Sequence, residues 1–233
     1  MSQPKKTPPR APVVRVAPMD KGRRTSTIAF FVAAAVVAVG IISFAGYQVY
    51  ENGLTWQQRA DGISGIVDFH KKDPASLQFQ QHSYGPITYK YSPPAGGASN
   101  PNWQRCLGDV YDAAIANEHA VHSMEFGAVW ITYNPDLPAK QVAQLAAKVR
   151  GNDYMLMSPY PGLDKPISIQ AWGYQLKVGN ASDGRIDDFI KNLKTKAAAE
   201  AGQSCSTGNF ITATGTTPHD LQPQDSSNSG TGG

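Results

Sequence analysis

Thr25–Tyr50, TSTIAFFVAAAVVAVGIISFAGYQVY, is the stretch from which the rest of the chain is read. Between Ile28 and Ala45 it carries no charge and is dominated by Phe, Val, Ile and Ala. As a helix rising about 1.5 Å per residue, such a run crosses a bilayer core. The sequence holds no second run of this kind, so a single-pass transmembrane helix over residues 27–50 divides a basic head, residues 1–26, from a folded part beyond it. Lys5, Lys6, Arg10, Arg15, Lys21, Arg23 and Arg24 against Asp20 give the head a charge of +6. The fourteen basic and seventeen acidic residues that follow leave −3, so the overall +3 hides an acidic folded part. That balance argues against nucleic-acid binding by the domain. Basic residues abutting the apolar run keep the amino terminus in the cytoplasm, which places the chain in the cell membrane with its carboxy-terminal domain extracytoplasmic. A cleaved signal peptide is the competing reading, since Ser43 and Ala45 are small residues at a cleavage spacing, but the apolar run and the head are both long for one. No cysteine near the run supports a lipoprotein.

Working outward, Pro4, Pro8, Pro9, Pro12 and Pro18 among basic residues make the head extended or disordered, drawn to anionic lipid or docking a cytoplasmic partner. Tyr47, Tyr50 and Trp56 read as an interfacial aromatic belt. Residues 51–83 read as a stalk, with Ile63, Ile66, Val67 and Phe69 too few to make a core and His70 solvated beside Lys71 and Lys72. Residues 84–205 form the domain. Ile87–Tyr91 predicts a strand, Ser92–Gly97 a loop, Asp109–Asn117 a short helix and Ala128–Tyr133 a buried strand. Pro138, Val142, Leu145, Ala146 and Val149, stopped by Gly151, predict a helix. Tyr154–Ser158 predicts another strand, Pro166–Val178 a strand or bent pair with a bulge at Gly173, and Asp183 a cap for a last helix bearing Ile186, Phe189, Ile190 and Leu193. The order implies an α+β fold, a small sheet with helices packed on one face. Residues 206–233, rich in Gly, Ser and Thr, read as a disordered tail. Cys106 and Cys205 both lie on the outer side, where an even pair is most simply a disulfide.

Several phrases then arrive together: Pro93-Pro94-Ala95-Gly96-Gly97, Trp103-Gln104-Arg105-Cys106, His119 through Pro135, Leu156 through Gly162, and Ala171-Trp172-Gly173. In this order they resemble a membrane-anchored actinobacterial family, domain of unknown function 3105, over about Tyr84 to Cys205. The resemblance implies a single-pass anchor, an external domain and no assigned activity. In the family's pattern the proline-glycine loop carries a histidine and the central motif reads His-Ser-Leu-Glu-His-Gly. Ser99 and Phe126 stand where those histidines would be.

His119 and His122, with Met124 and Glu125 beside them, are the candidate metal ligands, and copper suits a set of His and Met. On a helix the two imidazoles share a face; on a strand His122 and Met124 would, with His119 opposite. The alternative is that the histidines hydrogen-bond within a buried turn. His82 joins as a further ligand only if its loop folds back. Glu125 precedes a buried strand and must be paired, for instance with Arg105, or hold its proton. A P-loop, nucleophile elbow, dinucleotide fingerprint and zinc-protease motif are all missing from the sequence. The leading expectation is therefore a non-enzymatic binding or accessory module of the cell envelope, whose partners are the lipid bilayer and an envelope protein. The alternative is a copper- or zinc-handling domain built on His119 and His122, and after that a hydrolase using Glu125 and His122.

Overall fold

The computed structural model describes residues 21–79 and 82–219. Residues 1–20 of the expected head and 220–233 of the expected tail lie outside the described residues. The chain divides into two compact units, Met1–Gly53 and Leu54–Gly233.

In the first unit, helix α1 spans Lys21–Gly53. Its segment Ile28–Tyr50 has a mean hydropathy of 2.7 and is long and apolar enough to cross a membrane, as either an anchor or a signal sequence. The helix starts inside the basic head, because Lys and Arg are good helix formers and the turn they add needs no core.

The second unit begins with α2 (Trp56–Asp61), β1 (Val67–Asp68) and α3 (Phe69–Lys72). It continues through β2 (Trp103–Gln104), β3 (Leu107–Val110), α4 (Asn117–Glu125), β4 (Val129–Tyr133) and α5 (Ala139–Val149). It ends with β5 (Met155–Pro159), β6 (Ile167–Ala171), β7 (Tyr174–Val178), α6 (Arg185–Leu193) and β8 (Phe210–Ile211). Six strands form one mixed sheet in the order β1-β7-β6-β4-β5-β3. The pairs β1/β7, β7/β6 and β6/β4 are antiparallel, whereas β4/β5 and β5/β3 are parallel. The α+β expectation holds.

Strand alternation builds two cores. Val129, Ile131, Tyr133, Met155 and Met157 point to one face and pack with Leu145 and Val149 of α5, Ile186 and Phe189 of α6, and Ala60 of α2. Trp130 and Leu156 point to the other face and meet Ala120, Val121 and Met124 of α4. Helices therefore cover both faces rather than one, because every central strand is buried on both sides and needs two partners.

Five further expectations are corrected. The stalk is part of the domain: β1 pairs with β7, and Ala60, Ile63 and Phe69 are buried against apolar surface that other segments supply. Trp56 belongs there too, edge-on to Tyr174 at 6.0 Å, and not to an aromatic belt. Ile87–Tyr91 joins no strand, since the Ile87 N–H donates to Glu118 Oε1 and Lys90 and Tyr91 turn to Asp73. Asp109 lies in β3, not a helix, its carboxylate accepting from Arg105 and from the Leu107 N–H. Gly173 is no bulge. With Ala171 opposite Tyr174 it completes a two-residue hairpin at φ 78°, and the His70 ring fills the space a Cβ would need.

The described part of the tail is likewise placed. Cys106 and Cys205 form a disulfide with Cα atoms 5.3 Å apart. Beyond it, β8 lies parallel to β2 with Trp103 opposite Phe210 and Gln104 opposite Ile211. The Arg105 N–H donates to Ile211 O, and the Gly215 N–H donates to Ala114 O.

Candidate functional site

The motif His119-Ala-Val-His122-Ser-Met-Glu125 is helical, which resolves the alternation of helix and strand left open by its spacing. The helix α4 ends at Glu125 because Gly127, at φ 94°, turns the chain and the Gly127 N–H closes on Met124 O. Thr195 packs where a side chain on Gly127 would sit.

An extended segment leading into β2 crosses α4 and is held by its side chains. The carbonyls of Asn100, Asn102 and Gln104 accept from His122 Nδ1 at 2.6 Å, His119 Nδ1 at 2.6 Å and Ser123 Oγ at 2.6 Å respectively. Alternate carbonyls of an extended chain point the same way, so three side chains on neighbouring turns of one helix reach all three. Each Nδ1–H is thereby fixed as the donor, which leaves Nε2 of each ring as the acceptor.

What those two Nε2 atoms meet differs. His119 Nε2 accepts the His219 N–H at 2.8 Å, so His119 is tied at both nitrogens to backbone. His122 instead stacks on His82, ring centroids 5.0 Å apart and planes 22° apart. One ligand atom each from His82, His122 and Glu125 lies within 4.8 Å of the others. His82 Nε2 stands 3.8 Å from Glu125 Oε2. The Glu125 side chain is 1% exposed and that of His82 37%, so the group is a buried acid and imidazole behind an imidazole that solvent reaches.

Electrostatics set the protonation of this group. Burial pushes the Glu125 carboxyl up to about 8, with Ser99 tempering and Glu200 reinforcing the rise. Its position in the last turn of α4, near the carbonyl end of the helix, acts in the same sense. Neither Glu125 oxygen accepts a hydrogen bond of normal geometry among the described residues, and Ser99 Oγ likewise makes none. Burial depresses His122 to about 4, helped by its histidine neighbours His82 and His119. At neutral pH His122 is thus an uncharged imidazole. Trp103, edge-on at 5.6 Å, and Phe126, at 4.8 Å, wall its ring from water.

The structure therefore reorganises the candidate ligand set. His122 and Glu125 come together as the sequence suggested. His119 is directed to Asn102 and His219 and does not join the group. Met124 is fully buried in the apolar cluster with Trp130 and Leu156, so the His and Met set expected for copper is not assembled. His82 supplies the missing ligand. Its loop does fold back, through a bridge to Ser99 and the Ser83 N–H donating to Ser99 O. Arg105, the expected partner of Glu125, pairs with Asp109 instead at 2.6 Å. Ser99 and Phe126 both border the group.

Two imidazoles and a carboxylate make a mixed nitrogen and oxygen donor set, suited to zinc and similar divalent first-row cations, with room for an exogenous ligand. His122 has the outer support such ligands use, its second nitrogen donating to a backbone carbonyl. Ser123 offers no nucleophile: it is fully buried and its Oγ donates to Gln104 O and His119 O.

The model of the family described as Protein of unknown function (DUF3105) matches residues 80–207, more than half of the chain and all three members of the group. No curated protein and no solved structure matches the chain.

Proposed function

We infer that this chain, which belongs to the DUF3105 family, is a membrane-tethered binding module of the cell envelope whose extracytoplasmic domain holds a zinc-class divalent cation on His82, His122 and Glu125. The observation that carries the reading is the Glu125 carboxyl, buried beside Ser99 with no hydrogen bond of normal geometry among the described residues and within 4.8 Å of two imidazoles. A buried acid normally finds a donor or a counter-charge. A divalent cation supplies that charge, and His122 is already neutral and oriented to share it. Placement outside the cytoplasm is supported by the basic residues before the apolar run and by the disulfide. Ser123, committed to backbone carbonyls, supplies no nucleophile beside the group.

The test is titration of Zn²⁺ and Co²⁺ into the full chain, held in detergent after chelator dialysis, alongside His82→Ala and Glu125→Gln. One cation per chain, lost in both variants, is the expected result. Wild-type protein that binds no more cation than the variants would refute the cation reading and direct the search to a protein partner in crosslinked membranes.

A further inference from the structure

We propose that Trp103 is a positioning residue for the cation ligand His122, and that the strap Ser206–His219 holds Trp103 in place; this rests on reading His82, His122 and Glu125 as a cation site. Trp103 lies between the two. On its inner side the indole meets His122 edge-on at 5.6 Å and Phe126 at 5.1 Å. On its outer side Gly208 of the strap lies so close that any Cβ there would overlap the indole. Gly208 has φ 114°, a backbone conformation that only glycine adopts without strain.

The indole Nε1 is buried and makes no hydrogen bond among the described residues. Shape therefore fixes the ring, since no polar contact does so, and the strap supplies half of that shape. The strap itself is tied at four places: by the disulfide at Cys205, by β8 on β2 with Gln104 Nε2 donating to Ala213 O, by the Gly215 N–H on Ala114 O, and by the His219 N–H on His119 Nε2. The second of these ties lands on the same carbonyl-bearing segment that orients His122 through Asn100. The strap, the indole and the Nδ1–H bond of His122 thus form one outer shell around a ligand whose Nε2 would hold the cation. Outer-shell partners of this kind typically change metal affinity by roughly 10- to 100-fold when removed.

The experiment uses the full chain in detergent and Co²⁺, whose visible absorption reports coordination geometry. Trp103→Ala, Trp103→Phe and a chain ending at Thr207 are compared with wild type for Co²⁺ affinity, band shape and circular dichroism. The chain ending at Thr207 keeps the disulfide and all three cation ligands. The expected result is a loss of about tenfold or more with an altered band for Trp103→Ala and for the shortened chain, and recovery in Trp103→Phe. Wild-type affinity and spectrum in the shortened chain would overturn the proposal while leaving the cation reading intact, whatever Trp103→Ala does to folding. Failure of the wild type itself to bind Co²⁺ would overturn both.

Discussion

Replacing Glu125 with Gln should remove a specific pH dependence of stability from the metal-free protein. In the folded chain the Glu125 carboxyl titrates at about 8 against an ordinary 4.5, so between these values the folded state holds a proton that the unfolded state releases. Stability from this group is full below 4.5 and is lost as pH rises through 8. His122 runs the other way. Its folded value of about 4 lies below the ordinary 6.5, so between 4 and 6.5 the unfolded chain binds the extra proton and stability rises with pH. The two slopes oppose each other up to 6.5, and only the loss from Glu125 remains between 6.5 and 8. At about 1.4 kcal/mol per pH unit for one proton, that window is worth on the order of 2 kcal/mol. For a unit of this size the melting midpoint should drop by roughly 4–8 °C. Thermal melts of chelator-treated full-length protein, followed by circular dichroism at pH 6.5 and 8, measure the drop. The amide mimics the protonated acid, so Glu125→Gln should lack it. Zn²⁺ should raise the wild-type midpoint more at pH 8 than at 6.5, because the cation needs the ionised carboxylate. Parallel wild-type and variant curves without metal would refute the reasoning, since the carboxyl would then be titrating in its ordinary range.

Reduction of Cys106–Cys205, which closes a loop across 99 positions, should cost roughly 4–5 kcal/mol in the chain-entropy view, read as a fall in denaturation midpoint with a dithiol reductant. Ser123→Ala should destabilise by about 1–3 kcal/mol, because the Gln104 carbonyl loses its buried donor, while cation stoichiometry stays at one; urea melts and Zn²⁺ titration separate the two effects. Trp130→Ala should cost about 3–5 kcal/mol through the cavity left between β4 and α4, with the Ser158 hydroxyl losing its indole donor, again read by urea denaturation.

Much of the framework was legible without coordinates. The apolar run needs only its own composition to be recognised, and α1 contains it whole. Val129–Tyr133, Met155–Pro159 and the pair joined at Gly173 could be read because runs of β-branched and long apolar residues bounded by glycine and proline mark buried strands. The disulfide followed from there being two cysteines in the chain. The stalk misled because Ile63 and Phe69 are indeed too few for a core, yet they complete one that α6, β7 and Tyr91 supply. The tail misled because its composition matches a linker, while two residues, Phe210 and Ile211, suffice to pair with β2 once Cys205 brings them there.

The candidate site divides along the same line. His122 and Glu125 stand out in the sequence because one helical turn links them, and a spacing of three needs no distant information. His119 is as prominent in sequence but turns to Asn102 and His219, and Met124 turns into the apolar core. His82 reaches Glu125 only because Ser83 and Ser99 bridge two loops and Asn100 is clamped by His122. The sequence by itself determined the apolar helix, the acidic domain, the cysteine pair and the central strands, because composition and short periodicity act through near neighbours along the chain. Tertiary structure alone decided which histidine stands by Glu125 and which ties down the strap, because that choice depends on hydrogen bonds between segments far apart in sequence.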